Sequence, residues 1–199
     1  MTESIAQTTG NATNKAQAKT LKRKGVVENI ASVQERARQK IEQGAITEAY
    51  EADRDTVVKM LNSALATELI CMLRYKRHFF MARGINAEPV AAEFGEHADE
   101  EQAHADALAA RIVQLGGEPD FSPERLAERS HSEYVPGNTL YEMIREDLVA
   151  ERIAIDSYRQ LVQYLGDDDP TTRRLLEEIL ANEEKHADEL AGMLYGMES

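Results

Sequence analysis

The sequence predicts an all-α protein, a bundle of four long helices with one long crossover. Apolar residues recur at three- and four-residue steps over four segments of about 27 residues each. These segments contain no proline beyond their first turns, and none of them alternates with a period of two residues. Two of the three connections are short and one is long. A disordered tail and a short N-terminal helix are expected before the bundle.

Capping residues and glycines bound the four segments. The fourth segment, for example, begins with a suitable N-cap and first-turn pair. The four helices are expected over about residues 53–82, over about residues 89–115, from just after Asn138-Thr139 to Gly166, and from Asp169-Pro170 nearly to the C-terminus.

The connections predict the topology of the bundle. The short first and third links make antiparallel helix pairs. The second link, about residues 117–137, is long enough to cross the bundle, since ~20 extended residues reach ~60 Å and a helix of ~27 residues is ~40 Å long. A short helix is expected at Pro123–Arg129 within it. The third helix can therefore begin parallel to the second, which is the ferritin-like arrangement.

The N-terminal region differs in charge from the rest of the chain. Residues 1–50 carry eight basic and five acidic side chains, whereas the whole chain has a formal net charge of −13. We expect residues 1–50 to be a basic flexible tail with a short amphipathic helix, disordered over 1–24, and residues 51–199 to be the bundle. Five apolar positions predict that short helix, which ends near Gly44: Val26, Ile30, Val33, Ala37 and Ile41.

The composition narrows the cellular setting and the partners. The single cysteine excludes a disulfide framework within the chain. No signal-peptide core and no apolar stretch of ~20 residues are apparent, so a cytoplasmic protein without a membrane span is expected. The acidic bundle is suited to attract cations and unsuited to bind nucleic acid.

Polar residues interrupt the apolar stripe of every long helix near its midpoint. An unpaired buried carboxylate costs several kcal/mol, about the scale of a whole domain's stability, so four together need compensation. The core-facing polar residues are Glu68 on the first helix, Glu101 and His104 on the second, Glu151 on the third, and Glu183 and His186 on the fourth.

These residues repeat along the chain. The second and fourth helices each carry a Glu-x-x-His motif, which places Glu and His one turn apart on the same face. In the other two helices a tyrosine follows the core glutamate by seven residues, Tyr75 after Glu68 and Tyr158 after Glu151. The bundle is therefore expected to consist of two copies of one helical hairpin, with an approximately two-fold symmetric centre.

The predicted centre suits two divalent metal ions. Their charge of +4 balances four carboxylates, and neutral imidazoles then serve as ligands. Oxygen-rich ligation with one imidazole per metal favours two iron ions per chain, or manganese, over structural zinc. The alternative is a polar seam satisfied by hydrogen bonds and protonated acids.

At these motifs the chain resembles bacterioferritins and other ferritin-like proteins, over about residues 55–196. The resemblance implies that Glu68 and His104 hold one metal ion and that Glu151 and His186 hold the other. It also implies that Tyr75 corresponds to a tyrosine that lies beside the bacterioferritin site and can donate an electron to it.

The same resemblance implies that Glu101 and Glu183 bridge the two metal ions. Gln102 stands where haem-binding bacterioferritins carry methionine, so haem is not expected. A fifth helix is not expected after the fourth, which matches the twelve-subunit Dps proteins and differs from the twenty-four-subunit shells. A Dps-like subset with bacterioferritin-type centres is marked by a cysteine pair, whereas this chain has Cys71 alone.

The expected function is iron storage and detoxification. Fe(II) would be oxidised to Fe(III) by O2 or H2O2 at a di-iron centre within each subunit, and the product mineralised in a homo-oligomeric shell of twelve or twenty-four subunits. One alternative is a discrete di-iron or di-manganese peroxidase, catalase or hydroxylase. Another is a Dps-like protein that protects DNA, with residues 15–24 contacting phosphates.

For several further residues the sequence leaves two roles open. His97 lies one turn before Glu101 and either lines the site or an iron path, or is a core histidine. Asp106 and Asp188 either orient ligands or lie on the surface. Tyr158 and Cys71 are expected to pack in the core.

Overall fold

The computed structural model describes residues 30–85 and 87–198, whose regular elements are all helices, which confirms the all-α prediction. The chain divides into two compact units, Met1–Gln43 and Gly44–Ser199. In chain order the described helices are α1 (Ile30–Arg36), α2 (Arg54–Met81), α3 (Ala87–Gln114), α4 (Leu126–Arg129), α5 (Leu140–Leu165) and α6 (Pro170–Glu198), with 3-10 turns at Ile41–Gln43 and Pro123–Arg125.

The first unit is described only from residue 30. The predicted disordered tail and the predicted DNA contacts at residues 15–24 lie outside the described residues. The amphipathic helix ends earlier than predicted, since α1 ends at Arg36 and Lys40 adopts a φ of +49°. No α1 residue is buried, so its apolar side gains no packing energy within this unit to extend the helix.

The ends of the long helices follow the predicted caps. Asp53 accepts a hydrogen bond from the backbone N–H of Thr56 at the start of α2. Thr139 and Glu142 form a reciprocal capping box at the start of α5. Asp169 accepts from the backbone N–H of Thr172 at the start of α6. Each long helix therefore begins within about two residues of its predicted boundary.

The core of the second unit consists of two apolar clusters at different heights along the bundle. One includes Leu61, Leu108 and Leu176, and the other includes Phe94 and Leu190. α2 packs along α3, and α5 packs along α6. On each long helix the predicted polar site residues lie between the positions that enter the two clusters. Ile46 and Tyr50, in the region predicted as tail, also pack against the first cluster.

The long connection between α3 and α5 crosses the bundle beside α2, as predicted. Successive residues of the connection contact successively later residues of α2, and α4 is part of the connection. Four α2 side chains mark the path by their bonds to the connection: Asn62 to Glu118, Thr67 to His131, Arg74 to Glu133, and His78 to Pro136. The connection can therefore deliver α5 to the same end of the bundle at which α3 begins.

Among the described helices, α2 alone is long and apolar enough to meet the criteria for a membrane span, with a mean hydropathy of 1.4 over 18 residues. Half of that window is buried inside the bundle. A core helix meets the same criteria, and α2 is such a helix here.

Candidate metal centre

The structure brings all six core-facing polar residues together between the two apolar clusters. Five of them are at most 1% exposed and His104 is 7% exposed. They form two groups whose potential ligand atoms lie within 4.8 Å of one another. The groups are Glu68, Glu101, His104 and Glu183, and Glu101, Glu151, Glu183 and His186.

Both groups contain Glu101 and Glu183. Each of the two remaining carboxylates and each imidazole belongs to a single group. In each group the imidazole Nδ1 is the nitrogen that faces the carboxylates. His104 Nδ1 lies 3.0 Å from Glu68 Oε2 and 3.1 Å from Glu183 Oε1. His186 Nδ1 lies 3.6 Å from Glu101 Oε1.

Several atoms of the centre are buried without a hydrogen-bond partner, which is uncommon for polar atoms in proteins. They are Glu101 Oε1, Glu151 Oε2 and His186 Nδ1. Carboxylate oxygens and imidazole nitrogens are metal ligands, and each of these three atoms can offer a lone pair. The residues present therefore fit two divalent cations. A fully hydrogen-bonded polar seam is inconsistent with these three atoms.

The carboxylates destabilise one another's charged forms. Burial, followed by the charge of Glu183, holds the pKa of the Glu101 carboxyl well above its usual range. Burial and Glu183 do the same at Glu151. Burial and the charge of Glu68 raise the pKa of Glu183. The raised pKa values mean that a cation binding here competes with protons for these carboxylates.

Glu68 and His104 behave as an ion pair. Burial opposes the charge of Glu68, but hydrogen bonds with His104 and Glu101 outweigh it and lower the pKa of that carboxyl. Burial also opposes the charge of His104, yet bonds to Glu183 and Glu68 raise its pKa to about 10. His104 is therefore protonated at neutral pH in the metal-free protein and must lose a proton to bind metal through Nδ1.

Two tyrosines complete the pseudo-symmetry of the centre. Tyr75 on α2 donates its hydroxyl hydrogen bond to Glu151 on α5. Tyr158 on α5 donates to Glu68 on α2, at 2.5 Å. Tyr158 therefore contacts the centre as closely as Tyr75, in addition to packing in the core. The shared seven-residue spacing is the sequence signal for this equivalence.

Two residues orient the histidines of the centre, and this role was not predicted for them from the sequence. Glu100 accepts a hydrogen bond from His186 Nε2, which leaves His186 Nδ1 turned inward. Asn182 contacts His104 Nε2 at 3.2 Å. Each directly precedes the glutamate of a Glu-x-x-His motif, so the repeat itself could have indicated them. Such partners hold a ligand histidine in one tautomer and orientation.

Asp106, one of the two predicted candidates for that role, lies on the surface instead. It accepts a hydrogen bond from Gln102, four residues earlier on α3. Asp188, the other candidate, is also exposed. Cys71 is buried as expected, and burial raises the pKa of its thiol.

Comparisons with known proteins show which proteins the chain resembles. The family model described as Ferritin-like domain matches residues 58–198. The bacterioferritin of Rhodobacter capsulatus is 30% identical over 136 residues, which are 66% of this chain and 78% of that protein. A nutrient stress-induced DNA-binding protein of Nostoc sp. is 32% identical over 141 residues, 69% of this chain and 77% of that protein.

The chain also resembles a solved structure, that of a dodecameric thioferritin, the bacterioferritin-related protein from Bacteroides fragilis. The TM-score is 0.72 with 29% identity, and the match covers 74% of this chain and 89% of that one.

Proposed function

Because the chain belongs to the ferritin-like family, we propose that it stores and detoxifies iron by oxidising Fe(II) to Fe(III) at the six-residue centre. The observation that carries the proposal is the pair of residue groups that share Glu101 and Glu183. Two cation positions joined by two common carboxylates suit a reaction that needs two electrons at one place.

The proposed substrates are two Fe(II) ions per chain and O2 or H2O2. Glu68 and His104 would hold one ion, Glu151 and His186 the other. Two Fe(II) supply two electrons, which with two protons reduce O2 to H2O2 or H2O2 to two waters. Manganese ions suit the same ligands.

The protein's own contribution is to position the ions and to exclude water. The apolar clusters above and below the centre keep its carboxylates dry, so cations are held strongly there. Glu100 and Asn182 hold the two imidazoles with Nδ1 toward the ions. His104 gives up a proton when an ion binds, so binding is expected to weaken as the pH falls.

Tyr75, whose hydroxyl contacts Glu151, is proposed to donate one electron and its hydroxyl proton when H2O2 reacts with a single Fe(II). That Fe(II) and Tyr75 then supply the two electrons, and the Tyr75 proton with one further proton completes the reduction of H2O2 to two waters. We expect Tyr75→Phe to slow Fe(II) oxidation roughly ten-fold and to abolish any tyrosyl radical signal in frozen reaction samples. The matched variant Tyr158→Phe removes the equivalent hydrogen bond to Glu68 and should keep the radical. Equal losses of rate with the radical present in both variants would make Tyr75 a positioning residue only.

The Fe(III) product is proposed to collect inside a homo-oligomeric shell in the cytoplasm. The thioferritin with the same fold is dodecameric, and bacterioferritins are iron-storage relatives by family. The net charge of −13 favours the accumulation of cations at such a shell.

An aerobic Fe(II) titration of the metal-free protein tests this function. Oxidation is followed by absorbance, and iron per chain is counted in the size-separated protein. Fast oxidation to two Fe(II) per chain, followed by continued uptake on a large particle, is the expected result. Uptake that stops at two on a small oligomer would refute storage and favour a discrete peroxidase, catalase or hydroxylase. A protein that does not oxidise Fe(II) would refute the proposed function.

DNA protection is a second candidate function, because the Nostoc relative is a DNA-binding protein and residues 15–24 are rich in lysine and arginine. These residues lie outside the described part of the chain. Deleting residues 1–24 should abolish salt-sensitive retention on DNA. Retention that persists after deletion would exclude this tail as the DNA contact, and absence of retention in the full chain would exclude the function.

A further inference from the structure

A third group of potential ligands lies beside the six-residue centre. It consists of Glu93 and His97, four residues apart on α3, and Glu189 on α6. His97 Nε2 faces both carboxylates, at 3.1 Å from Glu189 Oε2 and 3.4 Å from Glu93 Oε1. The atoms lie within 4.8 Å of one another.

His97 connects this group to the centre. Its side chain is 1% exposed, and its ring stacks on that of His186 with centroids 4.0 Å apart. Its Nδ1 is buried without a hydrogen-bond partner. The two carboxylates are more open, with Glu93 28% and Glu189 34% exposed. The group thus has a solvent-accessible side and a side in contact with a residue of the centre.

We propose that Glu93, His97 and Glu189 bind a third divalent cation, which on the proposed iron-oxidising function is an Fe(II) held before it passes into the six-residue centre. Two carboxylates balance the charge of one divalent ion, and an imidazole beside them favours a transition metal over Mg²⁺ or Ca²⁺. The cation binding stands on the geometry alone, whereas the role in transfer rests on the proposed function.

Lys185 is the cation that competes for this site. Its Nζ lies 3.6 Å from Glu189 Oε1 and 3.7 Å from Glu100 Oε1. Lys185 is about half exposed, so its side chain can turn into solvent when a divalent ion binds. Oε2 is the Glu189 oxygen that lies near His97, whereas the ion pair of Glu189 with Lys185 is made through Oε1.

Binding of Co²⁺ tests the site. This divalent transition metal is used because O2 does not readily oxidise it, so binding is measured without the oxidation reaction. Isothermal titration should count three Co²⁺ per chain in the wild type, one for each residue group. The Glu93→Gln/Glu189→Gln variant should lose one of them. The Glu96→Gln/Asp188→Asn variant changes the net charge equally, at exposed positions on the same two helices, and should keep all three.

A complementary variant separates the third site from the centre. Glu68→Gln/Glu151→Gln should weaken the other two Co²⁺ ions and keep the third. A wild-type count of two, or equal losses in the charge-matched variant, would overturn the proposed site. A third Co²⁺ in a protein that does not oxidise Fe(II) would support the site while refuting the proposed function.

The role in transfer has its own measurement. Glu93→Gln/Glu189→Gln should slow the initial rate of Fe(II) oxidation at low iron by about ten-fold and leave the final extent unchanged. The charge-matched variant should keep the wild-type rate. An unchanged rate in a variant that has lost the third Co²⁺ would overturn the transfer role.

Discussion

Replacing Glu68 and Glu151 together by Gln is expected to lower the initial rate of Fe(II) oxidation by more than ~100-fold. Glu68 belongs only to the first residue group of the centre, and Glu151 belongs only to the second. An amide of the same size keeps an acceptor for Tyr158 or Tyr75 but supplies no negative charge to a cation. Loss of residues that merely orient metal ligands costs 10–100-fold as a rule, so the loss of two proposed ligands should cost more.

Stopped-flow absorbance with O2 as the oxidant measures this rate. The control variant Asp55→Asn/Asp156→Asn removes two exposed carboxylates from the same helices, α2 and α5, and should oxidise Fe(II) as the wild type does. Circular dichroism should show the same helix content in both variants. Wild-type oxidation by Glu68→Gln/Glu151→Gln would show that the six-residue centre is not where iron reacts.

Asp147→Leu is expected to lower the free energy of unfolding by about 3–5 kcal/mol, because it leaves a buried charge without its partner. Asp147 is fully buried and contacts Arg74 Nε through Oδ1 and His78 Nδ1 through Oδ2, each at 2.7 Å. Arg74 and His78 also donate to the carbonyls of Glu133 and Pro136 in the long connection. This network therefore attaches the crossover to α2 and α5.

Urea unfolding at a fixed protein concentration measures this loss. Asp99→Leu removes an exposed partner of Lys76 and should cost less than ~1 kcal/mol. The double variant Arg74→Met/Asp147→Leu should recover most of the loss, since it leaves no buried guanidinium unpaired. A small effect of Asp147→Leu alone would mean that the crossover is held by its other contacts.

Much of this molecule can be predicted from the sequence because its helices are long and regular. A carboxylate that interrupts an apolar stripe is visible at helical spacing, so Glu68 and Glu151 could be assigned to the core without a structure. The repeat made the symmetry of the centre predictable. The N-terminal helix was less predictable, since none of the described α1 residues is buried and periodicity alone does not extend a helix.

By itself the sequence determined the all-α class, the crossover and the six polar residues that share the core. Only the tertiary structure decided which side chains meet across helices. The bonds of Glu100 to His186 and Tyr158 to Glu68, the pairing of Asp147 with Arg74, and the approach of Glu189 to His97 all join different helices. The physical reason is that periodicity records which face of a helix is buried, whereas the partner on that face depends on the height and rotation of the neighbouring helix.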